Sequence, residues 1–125
     1  MKKNISDQEE TKKLLECINR SILDKKGENV VNMDLQKIEN HITKYFVICT
    51  ANSNIHAATL ADYIRYQTRG ELKERPWKEE GFENCEWILL DYIDIVVHIF
   101  LPAARDFYKL EQLWADAETI SIENE

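Results

Sequence analysis

Residues 86–100 read EWILLDYIDIVVHIF, and most of the side chains between the two ends are aliphatic or aromatic. A run of this length and composition predicts two buried β-strands, with the turn of a hairpin at the central DYID. Asp91, Asp94 and His98 interrupt the apolar pattern. These three residues are therefore either turn and packing residues or part of a surface that binds a partner.

The register of this hairpin depends on the length of its turn. A two-residue turn would place Asp91 opposite Asp94 and Trp87 opposite His98. Because strand side chains alternate, both pairs would share one mixed apolar and acidic face, and the other, apolar face would meet the helices. Two-residue turns favour Gly or Asn, which adopt positive φ easily, whereas Ile93 is β-branched. A longer loop with a different register is the alternative.

Composition and charge limit the classes of function. The chain has 125 residues, enough for one domain with a single core, and its formal net charge is −7. The groups of adjacent Lys and Arg residues are short and have acids nearby, whereas a nucleic-acid binder usually shows a basic stripe. The charge therefore argues against direct, sequence-specific binding to RNA or DNA and favours a basic protein partner.

The sequence also predicts a compartment. No window is apolar enough for a membrane span, and the N-terminus lacks the apolar core of a signal peptide and is too acidic for a transit peptide. The three cysteines, at positions 17, 49 and 85, are odd in number and widely spaced. Such spacing favours reduced thiols over a disulfide framework or a zinc site. We expect a cytoplasmic protein with no membrane contact.

Patterns along the chain predict an α/β fold, a single small domain with a mixed β-sheet flanked by helices. Ser6 and Glu9 form a capping-box pattern at the start of the first helix. The predicted elements, in chain order, are a helix over 7–26, a strand over 29–35, a buried central strand over 45–50, a helix from the caps at 52–54 to near Gly70, a polar connector over 71–84, the hairpin, and a helical stretch from Pro102. Residues 1–114 form the predicted domain, and residues 115–125 a short acidic tail with little to bury.

Signs of catalysis are weak. The chain has three glycines and contains no GxxxxGK[ST], GxGxxG or GxSxG motif, so a glycine-rich phosphate cradle is not expected. The three histidines are dispersed, with no short-spaced metal-ligand pair among them. Asp34, Asp91 and Asp94 lie at strand ends, where a magnesium-dependent nucleotidyltransferase-like enzyme would hold its metal. That enzyme is the alternative to a binding protein, and we expect no catalytic residues, cofactor or metal.

Two long segments carry a resemblance to a known family. They read ITKYFVICTANSNIHAATLADYI and PWKEEGFENCEWILLDYIDIVVHIFLPAARDFYKLEQLWADA. The order and spacing of EG, EWILLDY, DIVVHIF and R-x-FY-x-LE-x-LW-x-DA are its most specific part. Over residues 7–117 the chain resembles the ribosomal silencing factor family, also called Iojap-like.

The resemblance implies a binding function without catalysis. Members have a topology similar to nucleotidyltransferases but lack the catalytic residues. They bind the large ribosomal subunit through large-subunit ribosomal protein fourteen, block joining with the small subunit, and so repress translation under nutrient limitation. Some relatives act in organelle ribosome biogenesis, which leaves a large-subunit biogenesis factor as an alternative. The resemblance also implies a homodimer when the protein is free.

Residues matching the family motifs, together with aromatic residues suited to interface hot spots, make up the predicted contacts to the ribosomal protein. They are Trp77, Glu80, Trp87, Asp91, Tyr92, Asp94, His98, Tyr108, Trp114 and Asp116.

Other matching residues are more simply explained by folding. Leu90, Val97 and Leu110 are predicted core residues, and Arg105 with Glu111 a predicted internal ion pair. The chain also departs from the family pattern at three positions. Ile93 stands where glycine is usual, Lys44 where aspartate is usual, and Lys78 where histidine is common.

Overall fold

The computed structural model describes residues 5–123, which form one mixed β-sheet with helices on both faces. Its elements are α1 (Ile5–Asp24), β1 (Glu28–Asp34), β2 (Tyr45–Thr50), α2 (Asn54–Leu72), β3 (Lys78–Glu80), β4 (Trp87–Asp91), β5 (Ile95–Phe100), α3 (Pro102–Tyr108), α4 (Leu110–Leu113) and β6 (Glu118–Ile122). The strand order is β3-β4-β5-β2-β1-β6, with β2 and β5 parallel and the other neighbours antiparallel. The predicted α/β fold is confirmed.

The predicted elements correspond to observed ones, with differences at their ends. The first helix begins at Ile5, so Ser6 lies inside it, and the predicted capping side chain is outside the described part of the chain. Helix α2 begins after Ser53, whose hydroxyl accepts the His56 N–H at 3.0 Å, as expected for an N-cap. The same helix continues past Gly70 and ends at Leu72, and the C-cap residue Lys73 adopts left-handed backbone angles. None of the helices within residues 5–123 has the length and apolar character that crossing a bilayer requires.

Helices α1 and α2 cover one face of the sheet, which we call the helix face. Ile18 and Ile22 of α1 and Leu60 and Ile64 of α2 are fully buried there. They pack on alternate residues of the hairpin strands, a set that consists of Ile88, Leu90, Ile95, Val97 and Ile99. The prediction that this side of the hairpin meets the helices is confirmed, as is the core position of Leu90 and Val97.

The opposite face of the sheet is covered as well, and we call it the aromatic face. Phe46 of β2 and Phe100 of β5 are buried there beneath Trp114 and Leu110, which follow α3. All six residues of β5 are buried, because the strand is central and both of its faces are covered. The expectation that this face of the hairpin is a mixed acidic surface is wrong for β5.

The hairpin has a longer turn than the two-residue one. Asp91 pairs with Val96 and Trp87 with Phe100, so four residues, 92–95, lie between the last pair of the hairpin. The predicted register is therefore shifted by two residues. Because a shift of two preserves the alternation of side chains, the assignment of residues to the two faces survives.

Five of the C-terminal residues that were predicted to form an acidic tail form a strand instead. Strand β6 pairs with β1 along its whole length, from Val30 opposite Ile122 to Asp34 opposite Glu118, and forms one edge of the sheet. Its side chains are largely exposed, and Ile120 and Ile122 at alternate positions are its aliphatic residues. Residues 118–122 are thus part of the sheet although they bury little.

Arg105 fastens α3 to the sheet. Its Nε and Nη2 atoms donate to the Glu111 carboxylate at 2.9 and 3.1 Å, which confirms the predicted ion pair. Its Nη1 atom donates to the carbonyl of Asn29 and to the hydroxyl of Thr50, both at 2.8 Å. One guanidinium therefore joins the start of β1, the end of β2 and both short helices.

Candidate partner-binding surface

The predicted contact residues do not form one continuous surface. Tyr92 and His98 are buried, with 6% and 4% of their surfaces exposed, and neither can touch a partner directly. Those two predicted contacts are wrong. The predicted residues that remain at least partly exposed are Trp77, Glu80, Trp87, Asp91, Asp94, Tyr108, Trp114 and Asp116.

Tyr92 is a core residue of the helix face. Its hydroxyl shares a hydrogen bond of 2.9 Å with the hydroxyl of Thr68 on α2. Burial raises the pKa of Tyr92 to about 12. The residue follows β4 on the helix-facing side, so the alternation that predicted an apolar face also predicts this burial.

His98 and Trp87 form a polar contact inside the aromatic face. The indole Nε1–H of Trp87 donates to Nδ1 of His98 at 3.1 Å, although the residues are diagonal rather than opposite in the register. The His98 ring also lies edge-on to Phe46, with 4.7 Å between centroids. Burial lowers the pKa of His98 to about 3, so the ring is neutral at physiological pH. Since Nδ1 accepts, the proton sits on Nε2, which is buried without a hydrogen-bond partner among the described residues.

One exposed region, the hairpin tip, comprises residues 91–94 apart from the buried Tyr92. The Asp91 carboxylate accepts the N–H of Ile93 at 2.8 Å, and the Tyr92 N–H donates to the carbonyl of Ile95 at 2.8 Å. Ile93 has a φ of 77° and is 60% exposed. A β-branched residue in the left-handed region costs of order 1–3 kcal/mol, because its side chain crowds the backbone.

Asp94 links the tip to the rest of the fold. Its carboxylate accepts the hydroxyl of Thr11 at 3.1 Å and lies 3.5 Å from the Lys44 ammonium. Its carbonyl accepts the N–H groups of Lys44 and Tyr45, both at 3.1 Å. Lys44, one of the departures from the family pattern, therefore belongs to an internal ion pair.

A second exposed region, the α3 surface, comprises Phe107, Tyr108 and the cleft beside them. Tyr108 lies half-exposed against the ring of Trp87, with 4.7 Å between centroids, and Phe107 is 77% exposed. The adjoining cleft has a volume of about 360 Å³ and is lined by these two rings and by Glu86, Leu101, Ala103 and Ala104. Large exposed aromatic groups beside an acidic side chain are typical of protein-binding surfaces.

The remaining predicted contacts lie in two places, at the edge strand β3 and after α4. Trp77 is 73% exposed and precedes the edge strand β3, on which Glu80 pairs with Lys78 at 3.1 Å. Trp114 packs edge-on against Phe46, and the exposed Asp116 follows it.

The hairpin tip and the α3 surface lie toward opposite ends of β4. Trp87 begins the strand and Asp91 ends it, a distance of about 13 Å at ~3.3 Å per residue. One partner of ordinary interface size could span both regions. The sequence did not single out Phe107 or Ile93 as contacts, because their exposure depends on how the chain packs.

The residues proposed for a metal site do not come together. Strand β2 lies between β1 and β5, so Asp34 at the end of β1 is about 10 Å from the hairpin tip, at ~4.8 Å per strand spacing. The Asp34 carboxylate accepts the backbone and side-chain N–H groups of Gln36, both at 3.0 Å. Within residues 5–123 no three His, Cys, Asp or Glu side chains are grouped as a metal site would need. Cys49 is buried, which raises its pKa to about 12 and disfavours the thiolate.

Comparisons with known proteins show the family of this chain. The family model described as "Ribosomal silencing factor during starvation" matches residues 8–125. The chain belongs to this family. The match extends beyond β6, in agreement with the place of that strand in the sheet.

Individual relatives show how far the similarity reaches. The "Ribosomal silencing factor RsfS" of Halalkalibacterium halodurans is 36% identical over 113 residues, which cover 88% of this chain and 92% of the relative. The "Mitochondrial assembly of ribosomal large subunit protein 1" of Mus musculus is 32% identical over 78 residues, 61% of this chain and 34% of the relative. A crystal structure of a Chromobacterium violaceum protein superposes with a TM-score of 0.78 at 29% identity, covering 83% of this chain and 85% of that one.

Proposed function

We propose that this member of the ribosomal silencing factor family binds the large ribosomal subunit through large-subunit ribosomal protein fourteen and blocks joining with the small subunit. Translation is then repressed when nutrients are limiting. The observation that carries the proposal is the family match over nearly the whole chain. The net charge of −7 supports a basic protein as the direct partner, since opposite potentials speed encounter and set specificity.

The α3 surface and the hairpin tip supply the two kinds of contact that such an interface needs. The exposed rings of Phe107 and Tyr108 provide apolar area, and Asp91 at the tip provides a carboxylate for basic side chains. Silencing then requires no bond making or breaking, because the occupied subunit cannot receive its counterpart. The extent of silencing follows the concentration of the factor relative to its dissociation constant.

The test is sedimentation of large and small subunits with increasing amounts of the protein at physiological salt. We expect co-migration with the large subunit and loss of joined ribosomes. Phe107→Ser, which removes an exposed ring, should weaken binding about tenfold or more, as expected when a hot spot is removed. Asp91→Asn, which keeps an acceptor for the Ile93 N–H but removes the charge, should slow association chiefly at low salt.

A control variant sharpens this test. Tyr66→Ser removes a similarly exposed ring from α2, and we expect it to leave binding unchanged. Reversing the charge of Asp94 is not a suitable variant, because a lysine there would face Lys44 and disturb the fold. Large subunits that fail to co-sediment with the wild-type chain would refute the proposal, and equal losses in Phe107→Ser and Tyr66→Ser would remove the α3 surface from it.

A role in large-subunit assembly is the second candidate, favoured by the name of the mouse relative. The same surfaces would serve it, so the discriminating measurement is the population of subunits that the protein binds. Co-sedimentation with assembly precursors but not with mature large subunits would support assembly over silencing.

A further inference from the structure

Ile93 occupies a backbone conformation that its side chain disfavours. Within residues 5–123, seven non-glycine residues have a positive φ, and Ile93 is the one among them that is β-branched. The left-handed region crowds a branched Cβ against the backbone, whereas Asn and Gly enter it readily. An outlier of this kind calls for an explanation from its surroundings.

The fold itself does not explain the isoleucine. The backbone N–H of Ile93 donates to Asp91 at 2.8 Å, and its carbonyl accepts the Thr43 hydroxyl at 2.7 Å. Both bonds use the main chain of Ile93, so asparagine or glycine would make them equally well. The isoleucine side chain is 60% exposed and therefore recovers little of the strain by packing.

Two other residues with exposed apolar side chains have backbones beside the tip. Ile42, which is 76% exposed, precedes Thr43, and the backbone N–H of Trp77, 73% exposed, donates to the Asp91 carbonyl at 2.7 Å. The partly exposed carboxylates of Asp91 and of Asp94, the latter paired with Lys44, flank Ile93. An apolar centre with an acidic rim matches the anatomy of a protein interface and complements a basic partner.

We infer that Ile93 is the apolar anchor through which the hairpin tip enters a hollow on a basic protein of the large subunit. This inference rests on the proposed function and adds a residue that determines affinity at the tip. A protein surface suits the anchor better than rRNA, because an aliphatic side chain among carboxylates offers nothing to phosphates.

The test compares Ile93→Asn with the wild-type chain in binding to purified large subunits. Asparagine suits the left-handed backbone and removes the apolar surface. We expect a melting temperature equal to or above that of the wild type, together with a dissociation constant raised about tenfold or more, or about 1.4 kcal/mol. Since the lost contact is apolar, the ratio of the two constants should be the same at low and high salt.

Three comparisons make the outcome decisive. Ile93→Gly, which removes the side chain without adding a polar group, should weaken binding similarly and decides the matter if the asparagine variant folds poorly. Ile55→Asn makes the same change at an exposed isoleucine on the first turn of α2, at the other end of the sheet, and should leave binding unchanged.

If both Ile93 variants bind large subunits as tightly as the wild-type chain does, this inference is overturned and the proposed function stands. No binding by the wild type would instead refute the proposed function. An equal loss measured on large-subunit rRNA stripped of protein would assign the contact to RNA and overturn the inference.

Discussion

The two faces of the sheet are stabilised in different ways. On the helix face, aliphatic side chains such as Leu90 and Ile99 are fully buried beneath two long helices. On the aromatic face, Trp87, His98 and Phe100 lie beneath two short helices and form directional contacts. The free energy of the first face comes mainly from apolar area removed from water, whereas the second also depends on a buried hydrogen bond and on ring geometry.

The largest expected effect tests the contribution of apolar area. Ile99→Ala removes a fully buried side chain from the helix face and should lower the free energy of unfolding by about 2–5 kcal/mol, the usual range for a cavity in a core. Leu89→Ala, at a partly exposed position on the aromatic face, should cost less than about 2 kcal/mol because water already reaches the side chain. Urea unfolding monitored by tryptophan fluorescence measures both. Equal losses would contradict the expectation that the loss at these two positions follows the apolar area that each side chain buries.

The contrast explains how much of the fold the sequence predicted. Alternation along residues 86–100 sufficed to place Ile88, Leu90, Val97 and Ile99 against the helices, because a period of two is a local property. The cover over the other face is not local. It depends on Arg105 reaching Thr50 and Asn29, which are 55 and 76 residues away in sequence and cannot be paired with it by periodicity.

The candidate surface was predicted less well, for a related reason. Motif matching selected Tyr92 and His98, which are both buried. Alternation already placed Tyr92 on the side that meets the helices, whereas the cover over the face of His98 was not predicted. Motif matching passed over Phe107, whose exposure depends on the break between α3 and α4 at Lys109. Ile93 was recognised as unusual for a turn, but the length of the loop could not be read from the sequence.

The next effect is a dependence on pH that originates on the aromatic face. The pKa of His98 is lowered by burial from 6.5 to about 3, so the unfolded chain binds a proton at His98 between these values and the folded chain does not. The contribution of neutral His98 to the free energy of unfolding is therefore full above pH 6.5. Below pH 6.5 the free energy of unfolding falls by about 1.4 kcal/mol per pH unit because of this group.

His98→Gln keeps an acceptor for the Trp87 indole but cannot titrate. The difference in unfolding free energy between the wild type and this variant should therefore shrink or change in the variant's favour as the pH falls from 6.5 to 4. Carboxylates titrate in both proteins and cancel in that difference. A difference that is independent of pH would show that His98 accepts a proton without unfolding, and would remove this distinction between the faces.

The smallest effect tests whether the helix face also relies on a directional contact. The hydroxyls of Thr68 and Tyr92 form a buried hydrogen bond there. Thr68→Val should cost about 1–3 kcal/mol because it leaves the tyrosine hydroxyl buried without this partner. Tyr92→Phe should cost less, because the Thr68 hydroxyl keeps its hydrogen bond of 3.3 Å to the Arg65 carbonyl. The double variant replaces both polar groups by apolar ones of similar shape, so it should be nearly as stable as the wild type and its loss should be smaller than the sum of the single losses. Additive losses would mean that the two hydroxyls contribute independently. A double variant that is strongly destabilised would show that the helix face, like the aromatic face, depends on a specific polar contact.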